Sequence, residues 1–357
     1  MGRRYVYRAQ KPIGMTHELK HLLETARRWQ TKGLRPVLAT VVALDGSSYR
    51  RPGVRMLLAE GGRMAGAISG GCVEQEVYRQ AQTVFATGQP KMMTYDGRFR
   101  LGCAGTLYVL LEPIHLSDAL FELLQRQFSE RKPFDSRTDF SYDLTASQGL
   151  GTVLIIDRKN YTLYPARVAS NNVKPRQTTS NQFKQHFPPL FQLYLFGAEH
   201  DAVELTKMAH QLGWQVHLIA PPDEQKTIDS FPGAASLSTP FLNAVDTSGI
   251  DEHSAVVLMT HSLNKDVQYL LALRDVRPAY FGLLGPARRR ERLFHEVLER
   301  DPDLAPEFFE QMHGPAGLDV GAESAAEIAV AILGEILSVV RKASGQPLRE
   351  KRGKIHA

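Results

Sequence analysis

The sequence has very little cysteine: two residues among 357, Cys72 and Cys103, with no C-x-x-C pair. This scarcity excludes a disulfide framework and a cysteine zinc site, which need several suitably spaced cysteines. No uninterrupted apolar run reaches the ~18 to 20 residues of a membrane-spanning helix, and no secretory apolar region follows the basic start MGRRYVYRAQKPIG. We therefore expect a globular, cytoplasmic protein without a membrane partner, in which any functional cysteine acts as a thiol.

A concentrated basic surface is also missing from the sequence. The net charge is a modest +5, and the basic residues are spread along the chain apart from ARRRER at 287–292 and the basic tail. Nucleic-acid-binding surfaces usually show a denser basic face with interleaved aromatic residues. The composition therefore argues against a nucleic-acid partner and suits small anionic ligands, since a few fixed donors hold a phosphate.

The chain is long enough for about two domains, each with its own hydrophobic core. Residues 1–167 predict an α/β domain whose pattern combines helices with strands and two hairpins. We expect helices at 16–30, 73–87 and near 116–129, strands at 35–44, 91–95 and 106–113, a hairpin across Gly61-Gly62, and a second hairpin turning at Lys159-Asn160. Residues 168–188 are polar and lack an apolar period, which predicts an exposed linker.

The second half, residues 189–357, alternates short hydrophobic strands with amphipathic helices. This alternation is typical of βαβ units and predicts a Rossmann-like domain with a parallel sheet. Ser324 and Glu327 have the spacing of a capping box, which predicts the start of the last helix. Residues 222–252 carry no clear pattern and receive no prediction.

The expected dinucleotide fingerprint of such a domain is damaged. G-x-G-x-x-G at the first strand-to-helix turn would let a pyrophosphate approach the backbone, but the turn here is GAEHDA, with Glu199 and Ala202 at the second and third glycine positions. The second strand also lacks an acid at its end, because Ala220 and two prolines precede Asp223. The fold favours NAD(P) binding, and these residues argue against it.

Two later segments offer ligand-facing candidates at strand ends, where open α/β sheets bind ligands. His261, in MTHSLNKD, is a candidate acid, base or hydrogen-bond donor, or a residue that orients the loop. Arg288 opens a helix after GLLGP, where an anion site is one interpretation and a solvated helix face the other.

The segment AISGGCVEQEV places Cys72 at a predicted helix start. The positive end of the helix dipole and nearby amide donors would stabilise a thiolate there. Gly70 and Gly71 would let a ligand approach bare backbone amides that form an anion cradle. Glu74 either orients the thiol or ligand, or caps the helix. The alternative for Cys72 is a small buried residue in a tight turn.

Two more segments provide candidates of the same kind. Cys103 lies in LGCAG, next to Gly102, and two glycine-flanked cysteines in one domain favour a shared pocket. The loop GSSYRRPGVR offers donors suited to a phosphorylated ligand, although a surface turn explains them almost as well. The donors singled out in this loop are Ser48, Arg50, Arg51 and Arg55.

Five blocks in order resemble the XdhC/CoxI family, accessory proteins of molybdenum hydroxylases such as xanthine and carbon monoxide dehydrogenases. The blocks are TVVALDGSSYRRPGVRMLL, GRMAGAISGGCVEQEV, LGCAGTLYVLLEP, YFGLLGPARRRERL and GLDVGAESAAEIAVAILGEIL. The sequence departs from the family at GCAG, where G-C-G-G is usual, and at Gly197-Ala198-Glu199-His200, where G-x-G-H is usual. The resemblance implies a family-specific N-terminal α/β domain followed by a Rossmann-like C-terminal domain.

The resemblance further implies a maturation factor that binds molybdenum cofactor, protects or assists its sulfuration, and delivers it to an apo-hydroxylase. It assigns Cys72 a sulfur or cofactor contact and implies a cysteine desulfurase partner, while leaving a homodimer open. An accessory role is then favoured over a turnover enzyme. The alternatives are an NAD(P)-dependent oxidoreductase and a structural assembly chaperone without its own cofactor. Dinucleotide binding would distinguish the oxidoreductase from the other two functions. The sequence predicts no protein-bound metal site.

Overall fold

The structure is a computed structural model that describes residues 15–46, 51–97, 105–164 and 181–351. The chain divides into two compact units, Met1–Pro189 and Leu190–Ala357, and each is described by itself. Among the described residues, no helix combines the length and the apolar character needed to cross a bilayer.

The first unit begins with a helix that buries one apolar face. Leu19, Leu22, Leu23 and Ala26 recur at helical spacing and are almost fully buried. A five-stranded antiparallel sheet follows, in the order β3-β2-β1-β5-β4, with α2 packed on it. The elements are α1 Met15–Thr31, β1 Val37–Gly46, β2 Arg55–Ala59, β3 Arg63–Gly66, α2 Cys72–Thr87, β4 Lys91–Asp96 and β5 Gly105–Pro113. The predicted helices and the hairpin across Gly61-Gly62 are confirmed.

A second antiparallel sheet completes this unit, in the order β8-β7-β6-β9. Its elements, with the helix that precedes them, are α3 Asp118–Ser129, β6 Phe134–Phe140, β7 Gly151–Ile156, β8 Lys159–Thr162 and β9 Asn181–Phe187. The hairpin between β7 and β8 turns at Asp157 and Arg158, which both have positive φ, and not at Lys159-Asn160 as predicted. Positive φ at two central residues matches the turn type that suits a twisted hairpin.

Strand β9 corrects part of the linker prediction. Residues 181–187 pair with β6 and bury every second side chain: Phe183, Gln185 and Phe187. The alternation of a half-buried strand is present in NQFKQHF, but a glutamine occupies one inward position and hides it. Residues 168–180 of the predicted linker lie outside the described residues.

The second unit is a parallel six-stranded sheet in the order β12-β11-β10-β13-β14-β15. Numbered within the unit, this is the 3-2-1-4-5-6 order of the Rossmann fold, which confirms the predicted α/β class. Its elements are β10 Gln192–Phe196, α4 His200–Gln211, β11 Gln215–Ile219, β12 Ala234–Ser238, β13 Ser254–Leu258, α5 Leu263–Ala272, β14 Tyr280–Leu283, α6 Ala287–Arg300, α7 Pro306–Glu310, β15 Met312–His313 and α8 Ala325–Arg341.

Strand burial and helix capping in this unit follow the sequence pattern. Every residue of β13 and β14 is buried, as expected for strands covered on both faces. The predicted capping box of α8 is confirmed: the Ser324 hydroxyl accepts from the Glu327 amide, and the Glu327 carboxylate accepts from the Ser324 amide at 2.8 Å. Residues 222–252, which had no prediction, contain a 3-10 turn at Ile228–Ser230, strand β12 and irregular segments.

Candidate functional site

The carboxylate of Glu74 organises the segment that leads into α2. Its Oε1 accepts hydrogen bonds from the backbone amides of Ile68, Ser69 and Gly70 at 2.9, 2.5 and 2.8 Å. Its Oε2 accepts from the amide of Gly71 and, at 3.3 Å, from the hydroxyl of Ser69. We call residues 68–71 the helix-start loop. One carboxylate therefore binds four consecutive amides, and the loop is built around it.

These contacts set the charge of Glu74. The side chain is 7% exposed, and burial alone would raise the pKa of its carboxyl. The backbone hydrogen bonds from Ser69, Gly70 and Gly71 outweigh burial and lower the pKa to about 2, because they stabilise the ionised form. Of the two sequence interpretations of Glu74, the structure favours the cap.

The prediction that Gly70 and Gly71 offer a vacant anion cradle is wrong, because both amides already donate to Glu74. The two glycines have φ values of 111° and 151°, which side chains with a Cβ rarely adopt. A Cβ built at either position would meet no atom of the described residues within 4 Å, so that part of the structure leaves open space beside the backbone there. The loop can be approached closely from that side, although its amide donors are occupied.

Cys72 is the first residue of α2, directly after this loop, as the sequence predicts. Its side chain is not among the described parts of the structure. Four other predicted site residues lie outside the described residues: Ser48, Arg50, Gly102 and Cys103.

The strand ends that border these segments lie at the same end of the five-stranded sheet. Gly46 ends β1 and pairs with Gly105, which begins β5; Asp96 ends β4 and pairs with Thr106. Strand β3 runs parallel to β1 and β4 within the sheet and ends at Gly66, just before the helix-start loop. The topology therefore places the ends of β1, β3 and β4 and the start of β5 at one end of the five-stranded sheet.

Arg55 is buried and engaged within the protein, which argues against its predicted role as a ligand donor. The residue is 7% exposed, and Nη1 donates to the Gly53 carbonyl at 2.9 Å and to Gln185 Oε1 at 2.6 Å. Burial lowers the pKa of its guanidinium to about 10, against the opposing effects of Glu112 and Glu18. Arg55 thus ties the loop before β2 to strand β9. Arg51, in the same loop, is half-buried.

The second unit holds a cavity of about 580 Å³ at the carboxyl ends of β10, β11 and β13. This is the topological switch point of the sheet, where open α/β folds bind ligands. We call it the switch-point pocket. Its lining residues are Gly197, Ala198, Glu199, Pro221, Asp223, Glu224, Gln225, Lys226, Thr260, His261, Ser262 and Lys265.

Gly197 is required by the close approach of two strands. Its φ is 128°, and a Cβ there would lie 3.0 Å from the carbonyl carbon and oxygen of Met259. Glu199 follows as the N-cap of α4, and its side chain makes no capping hydrogen bond. The carboxylate therefore stands at the helix start, where a dinucleotide-binding turn has its second glycine.

Sequence reasoning missed the acidic side of this pocket. Asp223 and Glu224 line the pocket together with Pro221 and Gly197. An acidic residue is therefore present in the pocket after the second strand, although two prolines separate it from the strand end. Asp223 lies about 20 residues after Ala202, the usual spacing of the ribose-binding acid in Rossmann folds. Counting residues from the third glycine position of the fingerprint, and not from the end of the strand, would have predicted Asp223 as this acid.

His261 lines the pocket as predicted, on a loop that is fixed from behind. The Thr260 hydroxyl donates to Asp266 Oδ1 at 2.5 Å, and Arg289 Nη2 donates to Asp266 Oδ2 at 2.6 Å and to the Thr260 carbonyl at 2.9 Å. Asp266 is 2% exposed, and burial raises the pKa of its carboxyl, opposed by the hydrogen bonds from Thr260 and Arg289. This network holds the loop that presents His261.

Arg288 lies outside the pocket, so the structure favours the solvated-face interpretation of this residue over the anion site. Its side chain is exposed, whereas the next two arginines turn inward. Arg289 joins the network with Asp266, and Arg290 donates to the Gly314 carbonyl at 2.7 Å. Within the described residues, no group of three or more histidine, cysteine or acidic side chains could hold a metal ion.

Comparisons with known proteins find a matching family model for each of the two units. The family model described as the XdhC and CoxI family matches residues 29–96, and that described as the XdhC Rossmann domain matches residues 193–336. A curated relative from Bacillus subtilis, a probable xanthine dehydrogenase subunit, is 28% identical over 86% of this chain and 93% of its own. Another, from Escherichia coli, is the "Molybdenum cofactor insertion chaperone PaoD", 26% identical over 91% of this chain and 90% of its own.

The fold is also similar to a solved structure. A protein from Bacillus halodurans described as a xanthine dehydrogenase superposes with a TM-score of 0.72 at 25% sequence identity. The similarity covers 91% of this chain and 98% of that one, so both units are shared.

Proposed function

The chain belongs to the XdhC/CoxI family, and from this premise we propose that it is a cytoplasmic maturation factor for a molybdenum hydroxylase such as xanthine dehydrogenase. It binds molybdenum cofactor as cargo, protects or assists its sulfuration, and delivers it to the apo-enzyme. The names of two relatives support this role, since one is a cofactor insertion chaperone and the other a probable xanthine dehydrogenase subunit.

The structural observation that carries the proposal is the convergence at one end of the five-stranded sheet. The ends of β1, β3 and β4 and the start of β5 lie there, and they border both cysteine-containing segments and the loop with Arg51. Loops grouped on a rigid sheet are a common way to build a binding site. This grouping supports a single site for the cargo in the first unit.

The described residues fit the cargo in one respect and not in another. Amides at 69–71 donate to Glu74, so they do not hold a phosphate while that carboxylate is in place. The described residues leave open space beside Gly70 and Gly71, which suits the close approach of a flat pterin ring to the backbone. We assign Glu74 the role of a positioning residue that fixes the loop, and not of a ligand contact.

We assign Cys72 as the thiol that contacts the bound molybdenum cofactor. Cys72 begins α2, where the helix dipole favours a thiolate, and soft sulfur ligands suit the molybdenum centre. Cys103 is proposed as the second thiol of the same site, on the segment that precedes β5. The partners implied are a cysteine desulfurase that supplies sulfur and the apo-hydroxylase that receives the cofactor.

Cofactor retention tests the proposal. Purified protein is incubated anaerobically with molybdenum cofactor and desalted, and molybdenum and pterin are then quantified for the wild type and for Cys72→Ser. We expect near-stoichiometric molybdenum in the wild type and its loss in the variant, with unchanged circular dichroism in both. Molybdenum in neither protein would overturn cofactor binding and leave an assembly chaperone without its own cofactor.

A further inference from the structure

The switch-point pocket suggests a ligand for the second unit that neither the family nor the relatives' names assign. We propose that it binds a nucleoside through its ribose hydroxyls, and that Glu199 excludes the pyrophosphate of a dinucleotide. The inference does not depend on the proposed function, because the pocket lies wholly within residues 190–357.

The position of the pocket is the first argument. The sheet has the full Rossmann strand order, and the cavity opens where the order reverses, between the strands that begin at Gln192 and Ser254. A volume of about 580 Å³ lies within the usual range for small-molecule sites.

The acidic groups supply the second argument. Asp223 occupies the place after the second strand from which Rossmann folds accept ribose hydroxyls. Glu199 lines the same pocket from the start of α4 and is not used as a helix cap. An ionised carboxylate only accepts hydrogen bonds, so this pair suits a ligand that donates from neighbouring hydroxyls.

The lysines supply the third argument, because each ammonium group already donates a hydrogen bond to another group of the protein. Lys226 Nζ donates to the Ala198 carbonyl, and Lys265 Nζ lies 3.3 Å from Asp223 Oδ1. The lining carries three carboxylates, Glu199, Asp223 and Glu224, against these two ammonium groups. A pyrophosphate at the start of α4 would therefore meet the Glu199 carboxylate, whereas an uncharged ribose would not be repelled.

The shape of the walls is the fourth argument. Gly197 is held against the backbone of Met259 and Thr260, and the Asp266–Arg289 pair fixes the far side of the pocket. A preformed site loses less entropy when it binds a ligand.

Calorimetric titration of the full chain with adenosine, guanosine, cytidine and uridine tests the proposal, with 2′,3′-dideoxyadenosine and NAD⁺ as comparison ligands. We expect saturable binding of at least one ribonucleoside, about tenfold weaker binding to Asp223→Asn, and weaker binding of the dideoxy compound than of adenosine. Asp229→Asn, an exposed acid on the same connecting segment that does not line the pocket, is the matched control and should bind as the wild type does.

Three results would overturn the inference: no ribonucleoside binds, Asp223→Asn and Asp229→Asn bind alike, or NAD⁺ binds more tightly than every nucleoside. Circular dichroism of both variants checks that a loss of binding is not a loss of fold. None of these outcomes bears on cofactor retention by the first unit, so failure here is distinguishable from failure of the proposed function.

Discussion

Glu74 accepts a hydrogen bond from the backbone amide of Gly70, at 2.8 Å, and the same carboxylate binds the three neighbouring amides. The loop before Cys72 therefore owes its conformation to a side chain that follows it by only a few residues. This relationship links the fold of the first unit to its proposed site, because the loop fixes where α2 begins.

Replacing Glu74 with glutamine should lower the free energy of unfolding at pH 7 by about 1 to 3 kcal/mol, because the four loop amides lose a charged acceptor. Urea unfolding followed by circular dichroism measures this difference. Glu122→Gln, an exposed glutamate of the same unit, is the control and should change stability little. Equal effects of the two substitutions would contradict the role given to Glu74.

The same carboxylate predicts a pH dependence. Its folded pKa of about 2 lies below the ordinary value of 4.5, so its contribution to stability is complete above about pH 4.5 and is lost as the pH falls toward 2. The stability difference between wild type and Glu74→Gln should therefore shrink between these pH values. A difference that stays constant over this range would show that folding does not lower the pKa of this carboxyl.

Arg288 and Arg289 are neighbours whose substitution should affect stability very differently. Arg289→Ala leaves the buried Asp266 without its cationic partner and should cost about 2 to 4 kcal/mol, toward the low end for buried pairs because Arg289 is partly exposed. Arg288→Ala should change stability by less than about 0.5 kcal/mol, as for most surface substitutions. Thermal unfolding of both variants compares them, and a destabilised Arg288→Ala would contradict the exposed position of that side chain.

Glu199→Gly restores the second glycine of the dinucleotide turn and should raise affinity for NAD⁺, because the repelling carboxylate at the helix start is removed. Calorimetry on wild type and variant measures the change. No binding of NAD⁺ to either protein would mean that the second unit has lost dinucleotide binding through more than this side chain.

Much of the fold could be predicted from the sequence where local pattern and burial agree. The short hydrophobic strands of the second unit and the Ser324–Glu327 capping box are local signals, and the structure confirms them. Strand β9 was missed because Gln185 faces inward to meet Arg55, a contact with a partner 130 residues away in the chain. No local pattern can reveal such a partner.

The candidate site was predictable to a smaller extent. Glycines with positive φ and a cysteine at a helix start follow from residue type and position, but the occupation of the Gly70 and Gly71 amides depends on where the Glu74 side chain turns. Likewise, Asp223 reaches the switch-point pocket by the path of the chain after two prolines. Sequence patterns identified the segments, and tertiary packing decided which groups are available.

Transfer of cofactor to an apo-hydroxylase is the decisive measurement for the proposed delivery role. Protein loaded with sulfurated molybdenum cofactor is mixed with apo-xanthine dehydrogenase, and recovered hydroxylase activity is compared for wild type, Cys72→Ser and free cofactor. We predict faster and more complete activation by the wild type than by free cofactor, and loss of this advantage in Cys72→Ser. Equal activation by wild type and Cys72→Ser would contradict a delivery role centred on that thiol.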